Sequence, residues 1–132
     1  MRTKLGAFAV FSLIILMVVP AYANVTAVDM KKSFYTIDEK ITFFGTESDG
    51  SSIVTVVVRG PDGHAELLGG FSDPQGEYET TPRDVKAVFS LKGIYNVTAF
   101  TDRIENGVSM QVEFDGAKVA PLPDFVLALN SI

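Results

Sequence analysis

Ser52-Ile53-Val54-Thr55-Val56-Val57-Val58-Arg59, running into Gly60-Pro61-Asp62-Gly63, decides the fold. Successive side chains of an extended segment point to opposite sides. Val54, Val56 and Val58 therefore share one face, wholly apolar, while Ile53, Thr55, Val57 and Arg59 share a mixed one. β-Branched residues dominate the run, as suits a pleated surface buried on one side, and the Gly-Pro-Asp-Gly segment turns the chain at its end.

The same alternation recurs downstream. Tyr95, Val97 and Ala99 alternate with Asn96, Thr98 and Phe100, and Val108, Met110, Val112 and Phe114 alternate with Ser109, Gln111, Glu113 and Asp115. Two half-buried strands joined through Asp102 to Gly107 make a hairpin, with Asn106-Gly107 expected to supply positive-φ turn residues. Upstream, Val25 to Met30 reads as a first strand and Ile41 to Gly45 as a second, entered through Tyr35, Ile37 and Asp38-Glu39-Lys40. His64 to Leu68 reads as a short return strand and Gly69 to Gly76 as a Gly/Pro-rich loop. Tyr78 to Ser90 has mixed periodicity and is interrupted by Pro82.

No helix-length 3.6-residue pattern appears after residue 23, so the class is all-β. Seven or eight short strands in so few residues favour an immunoglobulin-like two-sheet sandwich over an open sheet. Gly93-Ile94-Tyr95-Asn96-Val97 adds a further cue. Sandwiches of this kind place a tyrosine at the start of the penultimate strand, two residues before an inward core position, which makes Tyr95 the corner tyrosine and puts Val97 where antibodies carry a cysteine.

Ahead of the domain, Arg2 and Lys4 precede an apolar run from Leu5 to Val19, then Pro20 and Ala21-Tyr22-Ala23, with no acid before Asp29. These are the parts of a secretory signal peptide, read as a helix over residues 1–23 and cleaved after Ala23. The run would extend about 22 Å as a helix, short of the roughly 30 Å hydrocarbon core. The alternative is an uncleaved anchor in which Pro20 ends a tilted span beginning at Met1. The expected organisation is thus signal peptide 1–23, sandwich domain 24–116 and C-terminal tail 117–132.

Composition bounds the partners. The chain has 132 residues and a net charge of −5, and the signal holds two of the eleven basic residues and none of the sixteen acids, so the exported domain is more acidic still. An anionic surface argues against nucleic acid and anionic lipid, leaving membrane contact only through an uncleaved signal. There is no cysteine. That excludes a disulfide framework and thiolate chemistry, so the core alone must supply stability.

Residue types with chemical potential are few. His64 is the only histidine, which rules out a blue-copper or ordinary zinc set and leaves a Ser-His-Asp triad a single base, beside a Pro-Asp-Gly turn where an exposed loop histidine is the simpler identity. Asp49, Asp62, Asp73 and Glu77 are loop acids, candidate calcium ligands in an extracellular sandwich, though none follows a dedicated calcium-loop pattern and solvated turn acids are the competing reading. Asn24-Val25-Thr26 and Asn96-Val97-Thr98 are N-glycosylation sequons. Asn96 points away from the core by the strand alternation; Asn24 would be the first residue after cleavage. No cofactor or catalytic residue is assigned.

Two stretches resemble a known group. Phe34 to Gly45 followed by Val54 to Gly63 resembles the opening of macroglobulin-type and other extracellular immunoglobulin-like repeats. Gly93 to Phe100 and Val112 to Pro121 resemble more particularly the secreted sandwich proteins of ammonia-oxidising archaea, many of which end in a Pro-Glu-Phe-Gly sorting motif, a transmembrane helix and a basic tail. Here the corresponding residues are Pro123-Asp124-Phe125-Val126, and the sequence runs to Ile132 without a complete span or a basic run, so the group's sorting and membrane attachment do not carry over. The resemblance implies an archaeal protein of the envelope or matrix and no catalytic residue.

The leading functional expectation is a non-enzymatic secreted or cell-surface module with a structural or adhesive role, its partners being other envelope or matrix proteins or glycans. The second is a soluble accessory domain binding a carbohydrate, peptide or calcium ion, for which Phe71 and Tyr78 beside the Gly/Pro loop are the aromatic candidates. The third is a small hydrolase using paired carboxylates.

Overall fold

A computed structural model describes residues 24–122; residues 1–23, read above as a signal peptide, and residues 123–132, which include Pro123-Asp124-Phe125-Val126, lie outside the described residues. The described chain is all-β. Eleven strands run in the order β1 (Val25–Met30), β2 (Tyr35–Thr36), β3 (Lys40–Ile41), β4 (Phe43–Glu47), β5 (Ile53–Arg59), β6 (Ala65–Phe71), β7 (Glu77–Glu79), β8 (Arg83–Asp84), β9 (Gly93–Phe100), β10 (Val108–Phe114) and β11 (Lys118–Pro121). They form a three-stranded sheet β1-β4-β7, a six-stranded sheet β2-β11-β10-β9-β5-β6 and a two-stranded ribbon β3-β8. Every described pair is antiparallel.

The valine strand is an inner strand of the large sheet, next to the edge strand β6. β5 pairs with β6 on one side and β9 on the other, so Val54, Val56 and Val58 are enclosed by neighbours and lie at 1% exposure or less. They join Val97, Ala99, Val112 and Phe114 from the same sheet and Val25, Met30, Phe43 and Tyr78 from the small sheet in one apolar cluster. The inward faces of both sheets therefore share a single core. Burial of valine-sized side chains contributes roughly 1.5–3 kcal/mol each, and no disulfide adds to it.

Tyr95 anchors the end of this core. Its hydroxyl donates to the Leu91 carbonyl at 2.6 Å and accepts from the Leu91 amide at 3.0 Å, while its ring meets Phe89 edge-on at 4.8 Å between centroids. Phe89 follows a single helical turn, Val85–Val88, whose Val85 and Val88 are buried. The segment Tyr78–Ser90, which shows no clean periodicity, is thus divided between β7, β8 and this turn.

Three local expectations differ from the structure. The hairpin β9–β10 forms with Val108 opposite Ala99 and Phe114 opposite Gly93. Its connection, however, is a 3₁₀ turn at Ile104–Asn106, with Gly107 at φ −81°, so Asn106-Gly107 supplies no positive φ. The return strand after the Gly-Pro-Asp-Gly turn continues through Gly69-Gly70 to Phe71, because all seven residues of β5 find partners there. The large sheet also extends past residue 116: Lys118–Pro121, placed in the tail by the sequence, pairs with both β10 and β2.

An edge strand presents unpaired backbone groups to any passing chain. At β6 two of these are covered: the Thr81 amide donates to the Gly69 carbonyl at 2.9 Å, and Arg83 Nη1 donates to the Leu67 carbonyl at 3.0 Å. That covering brings β7 against β6, joined by the Gly70–Thr80 bridge, and so sets the geometry of the site described next.

Candidate functional site

The outer face of the three-stranded sheet carries a phenylalanine between two carboxylates. Antiparallel pairing sets Phe44 of β4 opposite Asp29 of β1 on one side and Glu79 of β7 on the other. Directly opposed residues have Cβ atoms about 5 Å apart, so both acids flank the ring. The next row sets Thr46 between Ala27 and Glu77. Phe71, the last residue of β6, stands at the corner where β6 meets β7 and is 64% exposed; Phe44 is 37% exposed. Together with Asp73 these residues bound a groove of about 800 Å³.

The floor of the groove depends on one close approach. The Tyr78 hydroxyl crosses under the sheet to donate to the Ala27 carbonyl at 2.7 Å, passing the place where a side chain on Gly45 would stand. A Cβ at Gly45 would lie 1.9 Å from the Ala27 oxygen, so only glycine lets β1 and β7 be tied together across β4. Burial pushes the Tyr78 phenol well above its ordinary pKa, which keeps it a hydrogen-bond donor. Tyr78 thereby holds the floor and offers no exposed ring, unlike Phe71.

The rim is acidic. Lys31 Nζ pairs with Glu79 Oε2 at 2.8 Å. Asp29, Asp73 and Glu77 form no ion pair among the described residues. Asp29 Oδ1 accepts from the Met30 amide at 2.8 Å, and Asp73 Oδ1 accepts from the amides of Gln75 and Glu77 at 3.0 and 2.9 Å, so both are held in place by their own backbone.

Of the four loop acids singled out in the sequence, Asp49, Asp73 and Glu77 come to the same end of the molecule. The Ser51 amide donates to the Asp73 carbonyl at 2.9 Å, closing the Asp49-Gly50 loop onto the β6–β7 loop. Asp62 lies at the other end of β5, where its Oδ1 accepts from the His64 amide at 3.0 Å. Among the described residues no group of three or more His, Cys, Asp or Glu is spaced to hold a metal ion. His64 is exposed and contacts Glu66 Oε1 through Nε2 at 2.9 Å. That hydrogen bond, with help from Arg83, holds the Glu66 carboxyl below its ordinary pKa.

Glu47 is the acid that sequence reasoning passed over. It is 4% exposed, and its carboxylate accepts from the amides of Asp49 and Gly50 and from the Ser72 hydroxyl. It shapes the loop that follows β4 and is satisfied by that loop. The signal was present in Phe43-Phe44-Gly45-Thr46-Glu47, where alternation puts Glu47 on the inward face with Phe43. Both sequon asparagines are within the described chain: Asn96 is exposed on the outer face of β9, its Oδ1 accepting from Gln111 Nε2 at 3.0 Å, and Asn24 is partly covered beside Ser48.

Comparison with known protein families, with curated proteins and with solved structures finds no match to the chain.

Proposed function

We propose that the chain is a non-enzymatic, exported β-sandwich module of the immunoglobulin-like kind, held at the cell surface or released, where it acts as a structural or adhesive element of an envelope or matrix. The Tyr95 corner is the observation that carries the fold. A tyrosine at the start of the penultimate main strand, bonded back to the backbone four residues upstream, is a mark of these sandwiches. Strand order supports the reading: β10-β9-β5-β6 is similar to the G, F, C and C′ order and β1-β4-β7 to A, B and E, while β11 and β2 extend the larger sheet beyond the G position.

Export rests on Arg2, Lys4, the Leu5–Val19 run and Ala21-Tyr22-Ala23. The non-enzymatic reading is supported by how the acids are used. Glu47, Asp62, Asp73 and Asp115 each accept backbone amides in turns and so serve to fix loops. The resemblance to secreted archaeal sandwich proteins adds the envelope setting.

Labelling intact cells that express the full precursor with a membrane-impermeant amine reagent tests the location. Modified lysines, or recovery of the chain from the medium, is the expected result. Recovery of all the chain unmodified in the cytosol overturns the proposal. The groove on the small sheet favours a second reading within the same class, a binding module with a defined ligand site.

A further inference from the structure

From the groove geometry we infer that this module binds an extended polypeptide segment in which a basic side chain and an apolar one two residues along point to the same side and seat against Phe44 and Phe71. The inference rests on the reading of the chain as a binding module, and it does not depend on where the module is displayed.

Two features of the groove choose the partner. The first is apolar: Phe44 and Phe71, both partly exposed, line a depression large enough for several side chains. The second is charge. Asp29, Asp73, Glu77 and Glu79 rim that depression against the single ammonium of Lys31, and only Glu79 is paired. A ring flanked by carboxylates on both sides attracts a cation over its face and gives it an anionic contact at the edge, and both attractions strengthen as water is displaced. A lysine or arginine above Phe44 meets Asp29 on one side and Glu79 on the other, and an apolar side chain two residues along the peptide, on the same face, packs against Phe71.

The same charge disfavours other occupants. A second copy of this chain is itself acidic, with a net charge of −5, and nucleic acid and anionic lipid are repelled by the rim. A neutral glycan would stack on the rings and donate hydroxyls to the carboxylates, but it brings no charge to offset theirs. A basic and apolar extended peptide offsets the charge and covers the rings, since its side chains two residues apart share a face at the spacing of the rows Phe44 and Thr46.

The test titrates the full chain with the blocked heptapeptide Lys-Ser-Leu-Ser-Lys-Ser-Leu, whose lysines and leucines share one face when extended, followed by calorimetry and amide NMR. Two further peptides serve as comparisons, one with glutamate for lysine and one with serine for leucine. The expected result is saturable binding of the Lys/Leu peptide with shifts centred on β4 and β7. Affinity should fall at least fivefold on tripling the ionic strength, and fall at least fivefold in Phe71→Ser and in the double variant Glu77→Gln/Glu79→Gln. Ile104→Ser, exposed on the 3₁₀ turn away from the groove, should bind as the wild type does. Phe71 is largely exposed, so its replacement leaves the core intact, and far-ultraviolet dichroism checks this for each variant. The inference is overturned by no saturable binding up to millimolar peptide, by equal binding of the Glu/Leu peptide, by shifts confined to the large sheet, by unchanged affinity in both variants, or by tighter binding of a neutral oligosaccharide such as cellohexaose. Failure here leaves the export proposal standing, because intact-cell labelling reads location alone.

Discussion

Replacing Tyr95 by phenylalanine removes one oxygen atom and leaves the ring against Phe89. That oxygen makes two hydrogen bonds, donating to the Leu91 carbonyl at 2.6 Å and accepting from the Leu91 amide at 3.0 Å. Each such bond contributes about 1 kcal/mol net, so Tyr95→Phe should cost about 2 kcal/mol. Leu91 is 46% exposed, so its freed backbone groups regain water and the cost stays at that level. For a domain of this size about 2 kcal/mol lowers Tm by roughly 8–16 °C. Urea unfolding followed by circular dichroism should show a lower midpoint with an unchanged slope, since no surface is newly exposed in the folded state. The edge-on contact with Phe89 is retained, which separates the hydroxyl from the ring. A loss below about 0.5 kcal/mol, half of one such bond, would refute the view that the corner bonds hold the Leu91 turn to the core.

Further outcomes follow from the same structure. Glu47→Gln leaves one carbonyl oxygen to serve three donors, so a donor must face the new amide; the expected cost is about 1–3 kcal/mol, with faster hydrogen exchange at Asp49 and Gly50. The carboxyls of Glu39, Glu66 and Asp115 have pKa values held below their ordinary range, chiefly by hydrogen bonds from Lys32, His64 and the Ala117 amide respectively. Groups depressed on folding contribute stability above their unfolded pKa and lose it as pH falls through the folded one. Unfolding free energy should therefore contain a component that is level above roughly pH 5 and declines below about pH 4, reduced by Glu66→Gln together with Glu39→Gln. A pH titration of the denaturation midpoint in which those variants and the wild type decline in parallel would contradict the assignment. Asn96→Gln in an exporting host should remove one glycan from the intact mass, because Asn96 is the exposed sequon asparagine.

The sequence made the central strands legible because their patterning is strong. Val54, Val56 and Val58 alternate without exception, and the pairing of Tyr95, Val97 and Ala99 with the Val108–Phe114 strand follows from two matched apolar faces. Elsewhere local signals point one way and tertiary partners another. Gly69 and Gly70 read as loop, yet they extend β6, since a Cβ on Gly70 would lie 2.6 Å from the Glu79 carbonyl and close packing of β6 on β7 needs its absence. Val85, Val88 and Phe89 are spaced as one face of a helical turn, but four residues, two of them β-branched valines, gave too little length to declare a helix.

The groove was the least legible feature. Asp29, Phe44, Glu77 and Phe71 come from four strands, and only the register of β1, β4 and β7 brings the first three to one face. Phe71 was named as an aromatic candidate and is exposed there. Tyr78, named with it, turns inward because its hydroxyl has the Ala27 carbonyl to meet through the gap at Gly45. Alternation puts Phe44 outward with Thr46, but two adjacent phenylalanines leave it to the fold to decide which of them faces the core.

Export is the claim on which the functional account depends, and the mass of the delivered protein tests it most directly. The full precursor is expressed in an archaeal host, medium and membranes are separated, and the intact mass and first residue of the recovered chain are determined. The account predicts a species outside the cytoplasm that begins at Asn24. A chain retaining Met1 and confined to the cytosol would contradict it.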